Sequence, residues 1–234
     1  MMRLIKKAGR KARYYFDKVW IRLFFLNKNI FPASRLFGFD RGKPIDRYYI
    51  EKFLSEHHTS IRGNVLEVSE DTYSKMFGSQ IQRIDILHVS NENNRATIIG
   101  DLTQTITLPE DSFNCFICTQ TLNFIYDFKK AIEGIKHLLK PGGTALITVA
   151  GICQVSKYDE ERWGDFWRFC PNGIEKSFQE VFGKDQVNVF VYGNCEAAVS
   201  LLQGLAVNEK QKRFLDRADS EYPVTIGIVA KKIN

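Results

Sequence analysis

The stretch Glu67-Val68-Ser69-Glu70-Asp71-Thr72-Tyr73 carries the strongest chemical signal in this chain, because a short apolar run (Val65-Leu66) opens there into acids and hydroxyls. In open α/β sheets, ligands bind beyond the carboxyl ends of the strands. A dinucleotide loop at this point would place glycine at 69, 71 and 73, since only a residue without Cβ lets backbone approach a phosphate closely and adopts left-handed dihedrals freely. Ser69, Asp71 and Tyr73 stand there instead. Glu70 and Asp71, side by side, would repel a pyrophosphate, which disfavours NAD and FAD. They would not repel a ligand whose nearest groups are cations. A surface turn with solvated acids is the competing reading of the same residues.

Three further segments fall where the same logic predicts strand ends. Asp85 follows Glu67 by 18 residues, close to the spacing at which an acid hydrogen-bonds ribose hydroxyls in such folds; a turn-forming Asp is the alternative. Gly100-Asp101-Leu102 offers an acceptor for an amino group on a base. Thr119-Gln120-Thr121-Leu122-Asn123 is a polar patch after the apolar run Phe113–Cys118, placed to line a pocket mouth.

The elements that would position these residues are legible as periodicity. Short apolar runs at Val65–Val68, Gln82–Leu87, Ala96–Ile99, Phe113–Cys118, Thr144–Val149 and Val187–Tyr192 alternate with helical spacing at about 45–54, 72–78, 128–139 and 172–182. Lys140-Pro141-Gly142-Gly143 stops a helix, because proline cannot continue it and glycine takes the turn. Alternation of this kind predicts a mostly parallel sheet with helices on both faces. At the end of the chain the order changes: an apolar helix over Glu196–Val207, a charged stretch to Glu221, then a strand at Val224–Lys231. That order predicts an antiparallel late strand and a helical lid insertion at about 194–221.

The bulk numbers agree with one α/β domain of 234 residues preceded by an arm. Residues 1–30 hold nine Lys/Arg against one acid, whereas the rest of the chain holds 24 basic and 26 acidic residues. The formal charge of +6 therefore describes the arm. That argues against nucleic acid, which needs cations spread over a folded face. Within the arm, Leu4, Ile5, Ala8, Ala12, Tyr15, Phe16, Val19, Trp20, Leu23 and Phe24 form an apolar stripe between cations. Such a basic amphipathic helix suits an anionic membrane surface, and packing on protein is the alternative. No run approaches the roughly 20 apolar residues of a membrane span. Of five cysteines, Cys115 and Cys118 form a CxxC inside an expected buried strand. The expectation is reduced core thiols, no metal site and a cytoplasmic location.

Asp101-Leu102, then Leu108-Pro109-Glu110-Asp111-Ser112-Phe113-Asn114, then Leu138-Leu139-Lys140-Pro141-Gly142-Gly143 resembles the order of class I S-adenosylmethionine-dependent methyltransferases, a Rossmann-like fold. The chain further resembles a subgroup encoded with bacterial surface-polysaccharide biosynthesis. It does so through Phe39–Glu51 (FDRGKPIDRYYIE), Tyr73–Gly78 (YSKMFG), Asp85–Val89 (DILHV) and Arg162–Phe169 (RWGDFWRF). Ser69 stands where that subgroup keeps a single glycine.

The resemblance implies S-adenosylmethionine as cofactor, framed by Glu67, Ser69, Asp85, Asp101, Leu102, Thr119 and Gln120, with Arg47 and Tyr48 over its amino-acid end. It implies methyl transfer to oxygen on a saccharide or lipid-linked glycan intermediate at the inner membrane face. A catalytically inactive relative acting as partner or scaffold in glycan assembly is the alternative. His88 is the candidate general base for the acceptor hydroxyl, with a surface-loop histidine as its rival reading. Tyr158, Asp159, Trp163, Asp165 and Arg168 form a polar aromatic segment suited to stacking on and hydrogen-bonding a sugar; packing onto the core is the alternative for the tryptophans, and the favoured reading for Trp167.

Overall fold

Helix α1 (Ile45–Glu56) follows Pro44 and buries Ile45, Tyr49, Ile50, Phe53 and Leu54, one face of a helical repeat. It delivers the chain to β1 (Gly63–Val68), whose interior residues Val65, Leu66 and Glu67 are buried. A crossover containing only α2 (Thr72–Phe77) leads to β2 (Ile81–His88). There follow the two-residue β3 (Ile98–Ile99), β4 (Phe113–Thr119), α3 (Phe128–Leu138) and β5 (Leu139–Ala150). A single turn, α4 (Lys157–Glu160), and α5 (Pro171–Phe182) precede β6 (Val187–Tyr192). The chain closes with α6 (Cys195–Leu202), α7 (Lys212–Leu215) and β7 (Thr225–Lys231). This computed structural model describes residues 31–233, so the expected amphipathic helix of residues 1–30 lies outside the described part.

The seven strands form one sheet in the order β3-β2-β1-β4-β5-β7-β6. β7 runs antiparallel to both neighbours, and the other pairings are parallel. Strand order reverses direction between β1 and β4, so the crevice outside their carboxyl ends is the topological switch point.

Side-chain alternation divides the core into two layers. Phe116 and Cys118 join the layer under α3 and α5, with Leu66, Ile132, Ile135 and Phe178. Cys115 and Ile117 join the layer under α1 and α6, with Tyr49, Phe53, Val65 and Leu201. The two CxxC thiols therefore point to opposite faces of the sheet and cannot bridge each other. Burial pushes both upward, Cys118 to about 12. They are packing residues.

Two expectations needed adjustment. The helix expected over Glu196–Val207 ends at Leu202, because Gly204 takes a left-handed turn at φ 67°. The 194–221 insertion is joined to the α1 flank: Pro44 bridges Ala206, and the Tyr49 hydroxyl donates to Leu215 O at 2.9 Å. The segment lying beyond the strand tips is instead 151–168, between β5 and α5.

Candidate active site

At the tip of β1, Ser69 holds φ 68°, the left-handed conformation that favours glycine. Its N–H donates to Leu87 O at 3.0 Å, and its carbonyl accepts from Asn93 Nδ2 at 2.7 Å. The turn is thus fixed from both sides, and the serine is forced into a glycine-like shape. Glu67 is only 2% exposed. It accepts from Tyr73 N at 3.0 Å, Ser74 N at 2.7 Å and Ser74 Oγ at 2.6 Å. Those are the orphan donors of the α2 N-terminus. Burial pushes the Glu67 carboxyl upward, and the Ser74 and Tyr73 bonds oppose the shift. Glu67, expected to frame the cofactor, is used here to shape the loop through Tyr73 and Ser74. Beside it, Asp71 pairs with both Lys75 and Arg95. Together with Asn93 on Ser69, that ties the loop after β1 to the loop after β2.

Asp85 is not at a strand tip. It pairs with Leu66 in mid-strand, and its carboxylate accepts from Thr97 Oγ1 at 2.9 Å and pairs with Arg83. The residue expected to meet the ribose thus lies three positions inside the strand, bonded to Thr97 and Arg83. β2 runs on to His88, and the polar run Ser90–Asn94 was the sequence signal for its true end. At that tip, His88 Nδ1 lies 2.8 Å from Ser90 O, and the imidazole meets the Trp163 ring edge-on, 5.6 Å between centroids.

Beyond β3, Asp101 folds into its own turn: Oδ1 accepts from Thr103 N and Thr103 Oγ1, both at 2.8 Å, and Oδ2 from Gln104 Nε2 at 3.1 Å. Leu102 is buried, and α3 crosses its carbonyl so closely that a Cβ on Gly134 would lie 2.0 Å from Leu102 O. Small size at Gly134 is what seats the Asp101 turn against the sheet.

The end of β4 is different, because its polar groups are unmet. After Thr119, Gln120 adopts φ 51° and donates its N–H to Thr148 O at 2.8 Å. Its side-chain Nε2 is buried without a partner, as is Oδ1 of Asn123, a residue only 3% exposed. Buried unpartnered amides are costly, each about 1–3 kcal/mol, and these two sit at the switch point. Asn123 was read only as part of a polar patch; its burial is a tertiary fact.

The segment 151–168 is braced by the residues expected to grip a substrate. Arg168 pairs with Asp165, whose side chain is fully buried, and donates to Cys153 O and Gln154 O. Asp165 also accepts from Ser156 N at 3.0 Å, and Asp159 from Ser156 Oγ at 2.6 Å. Phe166 N and Trp167 N donate to Asn123 O. Asp159, Asp165 and Arg168 are thus engaged internally, bracing the segment expected to hold hydroxyls. Trp167 packs on Tyr126 and Phe128, while Tyr158 is exposed under the Arg162 guanidinium. Trp163, over a third exposed, follows β5 in the chain yet meets His88 at the end of β2, two strands further across the sheet beyond β4 and β1.

On α1, the Tyr48 hydroxyl, expected over the cofactor, donates to Asp216. Arg47 lies over the Phe39 ring at 5.4 Å, with its charge felt at Tyr73. Sequence reasoning missed Asp46. Burial pushes its carboxyl upward, its hydrogen bond comes from the adjacent Arg47 N, and its charge reaches both Tyr73 and Cys153. A desolvated acid was not separable from an ordinary first-turn helix Asp by sequence.

Residues 62–147 match the family model of the methyltransferase domain, somewhat over a third of the chain. No curated protein matches the sequence. Among solved structures, the chain is similar to an S-adenosylmethionine-dependent methyltransferase from Archaeoglobus fulgidus, with TM-score 0.51, 12% identity, and 80% of this chain and 94% of that one covered. It is similar to the [4+2]-cyclase SpnF, with TM-score 0.51, 14% identity and coverage of 88% and 87%. It is also similar to the Haemonchus contortus phosphoethanolamine N-methyltransferase 2 bound to S-adenosylhomocysteine, with TM-score 0.50, 15% identity and coverage of 92% and 56%. At such identities the likeness establishes the fold. That fold is the class I S-adenosylmethionine-dependent methyltransferase fold, residues 62–147 match its methyltransferase domain, and the cofactor these matches support is S-adenosylmethionine.

Proposed function

We propose that the chain transfers methyl from S-adenosylmethionine to an oxygen of a saccharide or lipid-linked glycan intermediate. The observation that carries the cofactor half is the pair of unmet buried amides, Gln120 Nε2 and Asn123 Oδ1, at the switch point. A donor and an acceptor at that depth call for a polar ligand. Glu70, on the loop after β1, suits a cationic one, and Ser69 keeps the backbone shape that close approach requires. The residues present therefore fit the group.

When bound, S-adenosylmethionine supplies a methyl already activated by its sulfonium. The protein has to align the acceptor in line, about 3 Å from that methyl, and keep water out. Gln120 and Asn123 would hold and orient the bound groups. The braced segment 151–168 would exclude water, and exposed Tyr158 and Trp163 would offer ring faces to a sugar. Asp46, made more basic by burial, would take the hydroxyl proton. The saccharide acceptor is supported by the four segments shared with the polysaccharide-linked subgroup, and the inner membrane face is the place such intermediates occupy.

One observation favours the alternative, a non-catalytic partner in glycan assembly: the carboxylates of Glu67, Asp85 and Asp101 are all bonded within the chain. Calorimetric titration with S-adenosylhomocysteine separates the two. Binding heat together with ligand-dependent thermal stabilisation is the expected result. Neither effect at millimolar ligand would leave the scaffold reading.

A further inference from the structure

The two ends of the sheet present different surfaces. Hydroxyls and amides line the groove at the amino ends of the strands, among them Thr59, Gln80, Gln82 and Asn188. Beyond the carboxyl ends, around the crevice, large apolar side chains stand in solvent: Val155 is 49% exposed, Phe166 47% and Tyr126 71%. Tyr126 and Phe166 meet edge to face, 5.4 Å between centroids. Leu36 and Phe39, 61% and 57% exposed, join the same rim. Gln154 Nε2 donates to Arg35 O at 2.8 Å, and Arg47, in the first turn of α1, lies over the Phe39 ring. Single exposed apolar residues are ordinary, but a group gathered around one mouth marks an interface. Leu36 and Val155 are aliphatic and have no ring face for a sugar, so a saccharide does not account for them. Arginines are set among these side chains: Arg35 is exposed, and Arg162 lies over the Tyr158 ring at 3.6 Å. Of the acids beside them, Asp40 pairs with Arg41 and Glu160 with Lys157, while Glu161 stays exposed. Rings and arginines on apolar stems are the mixture that settles at the level of anionic headgroups. Along the chain, residues 31–34 alone separate Arg35 from the basic arm.

We infer that this rim rests on an anionic bilayer, so that the crevice opens toward the membrane and the acceptor reaches it from the lipid side. The inference rests on the reading of a lipid-linked acceptor and a membrane-binding arm, and it adds a second contact made by the folded domain itself. That contact is weak alone and becomes effective once the arm tethers the domain beside the lipid.

The test uses the full chain and vesicles containing about a third anionic lipid. L36S/V155S should partition onto them about tenfold more weakly than wild type, while M76S/I233S, at exposed apolar positions outside the rim, should partition as wild type does. Equal partition of both variants would overturn the inference. A second measurement places an environment-sensitive dye at Val155→Cys, with C170S and C195S removing the two exposed thiols. Its emission should shift to the blue on the vesicles, and the same dye at Gln82→Cys, at the amino ends of the strands, should not shift. A blue shift at position 155 that grows with protein concentration in the absence of vesicles would give the rim to a second copy of the chain and overturn the lipid assignment. A dye silent at position 155 while the arm still carries the chain to vesicles would overturn the rim and leave the arm reading intact. Absence of any vesicle binding by the full chain would overturn both.

Discussion

Ser69 carries a Cβ in a backbone conformation where it crowds the following carbonyl, at a cost on the order of 1 kcal/mol. Hydrogen bonds to Leu87 O and from Asn93 hold it there. Replacing it with glycine should release that strain. S69G is expected to raise the urea midpoint by the equivalent of about 0.5–1 kcal/mol, less than the full strain because glycine also gains freedom in the unfolded chain. A midpoint lowered by the substitution would mean the serine side chain contributes something the backbone geometry does not show. At the same scale, Asp46 and Asn123 entered the site only through burial. Nothing in their neighbours along the chain distinguishes a desolvated aspartate, or an amide without a partner, from ordinary helix and loop residues.

The segment 151–168 is the element on which the site most depends, and the Asp165–Arg168 pair is its brace. Burial alone would raise the Asp165 carboxyl, but hydrogen bonds from Arg168 and Ser156 N hold it below the usual carboxylate range. A depressed acid stabilises the fold above its unfolded value, about 3.9, and that contribution is lost as pH falls through the lower folded value. Limited proteolysis between Cys153 and Trp167 should therefore accelerate on acidification below about pH 4. D165N should already be open at neutral pH and show a flatter profile, since leaving Arg168 half-paired costs about 3 kcal/mol. Cleavage of D165N no faster than wild type at pH 7 would remove the brace from the account. The helices and strands themselves were readable, because alternating short apolar runs and 3.6-period stripes report directly on burial. β2 and β3 were expected at Gln82–Leu87 and Ala96–Ile99 and form as Ile81–His88 and Ile98–Ile99; what an 18-residue spacing could not show is that Asp85 lies inside β2 and not at its end.

For the whole molecule, charge separates residues 1–30 from the rest of the chain. Among the described residues, no helix is long and apolar enough to cross a membrane. We propose that the basic arm brings the protein to the inner membrane face. Sedimentation with vesicles containing about a third anionic lipid should fall to background when residues 1–30 are deleted, and should weaken with salt in the full chain. Equal sedimentation of the truncated protein would assign the arm to protein packing instead.

The sequence by itself determined the class of fold, since the period of its apolar residues dictates strand, helix and parallel order. It also determined the charge character of the first crevice, since Glu70 and Asp71 are written there regardless of folding. Only the tertiary structure decided which residues are free to meet a ligand. Glu67, Asp85, Asp101, Asp159, Asp165 and Arg168 all carry the right chemistry, yet each is bonded within the chain. At the end of β4, Gln120 Nε2 and Asn123 Oδ1 are buried without a partner. A hydrogen bond is settled by where two distant segments meet, and residue type with spacing along one chain does not contain that information.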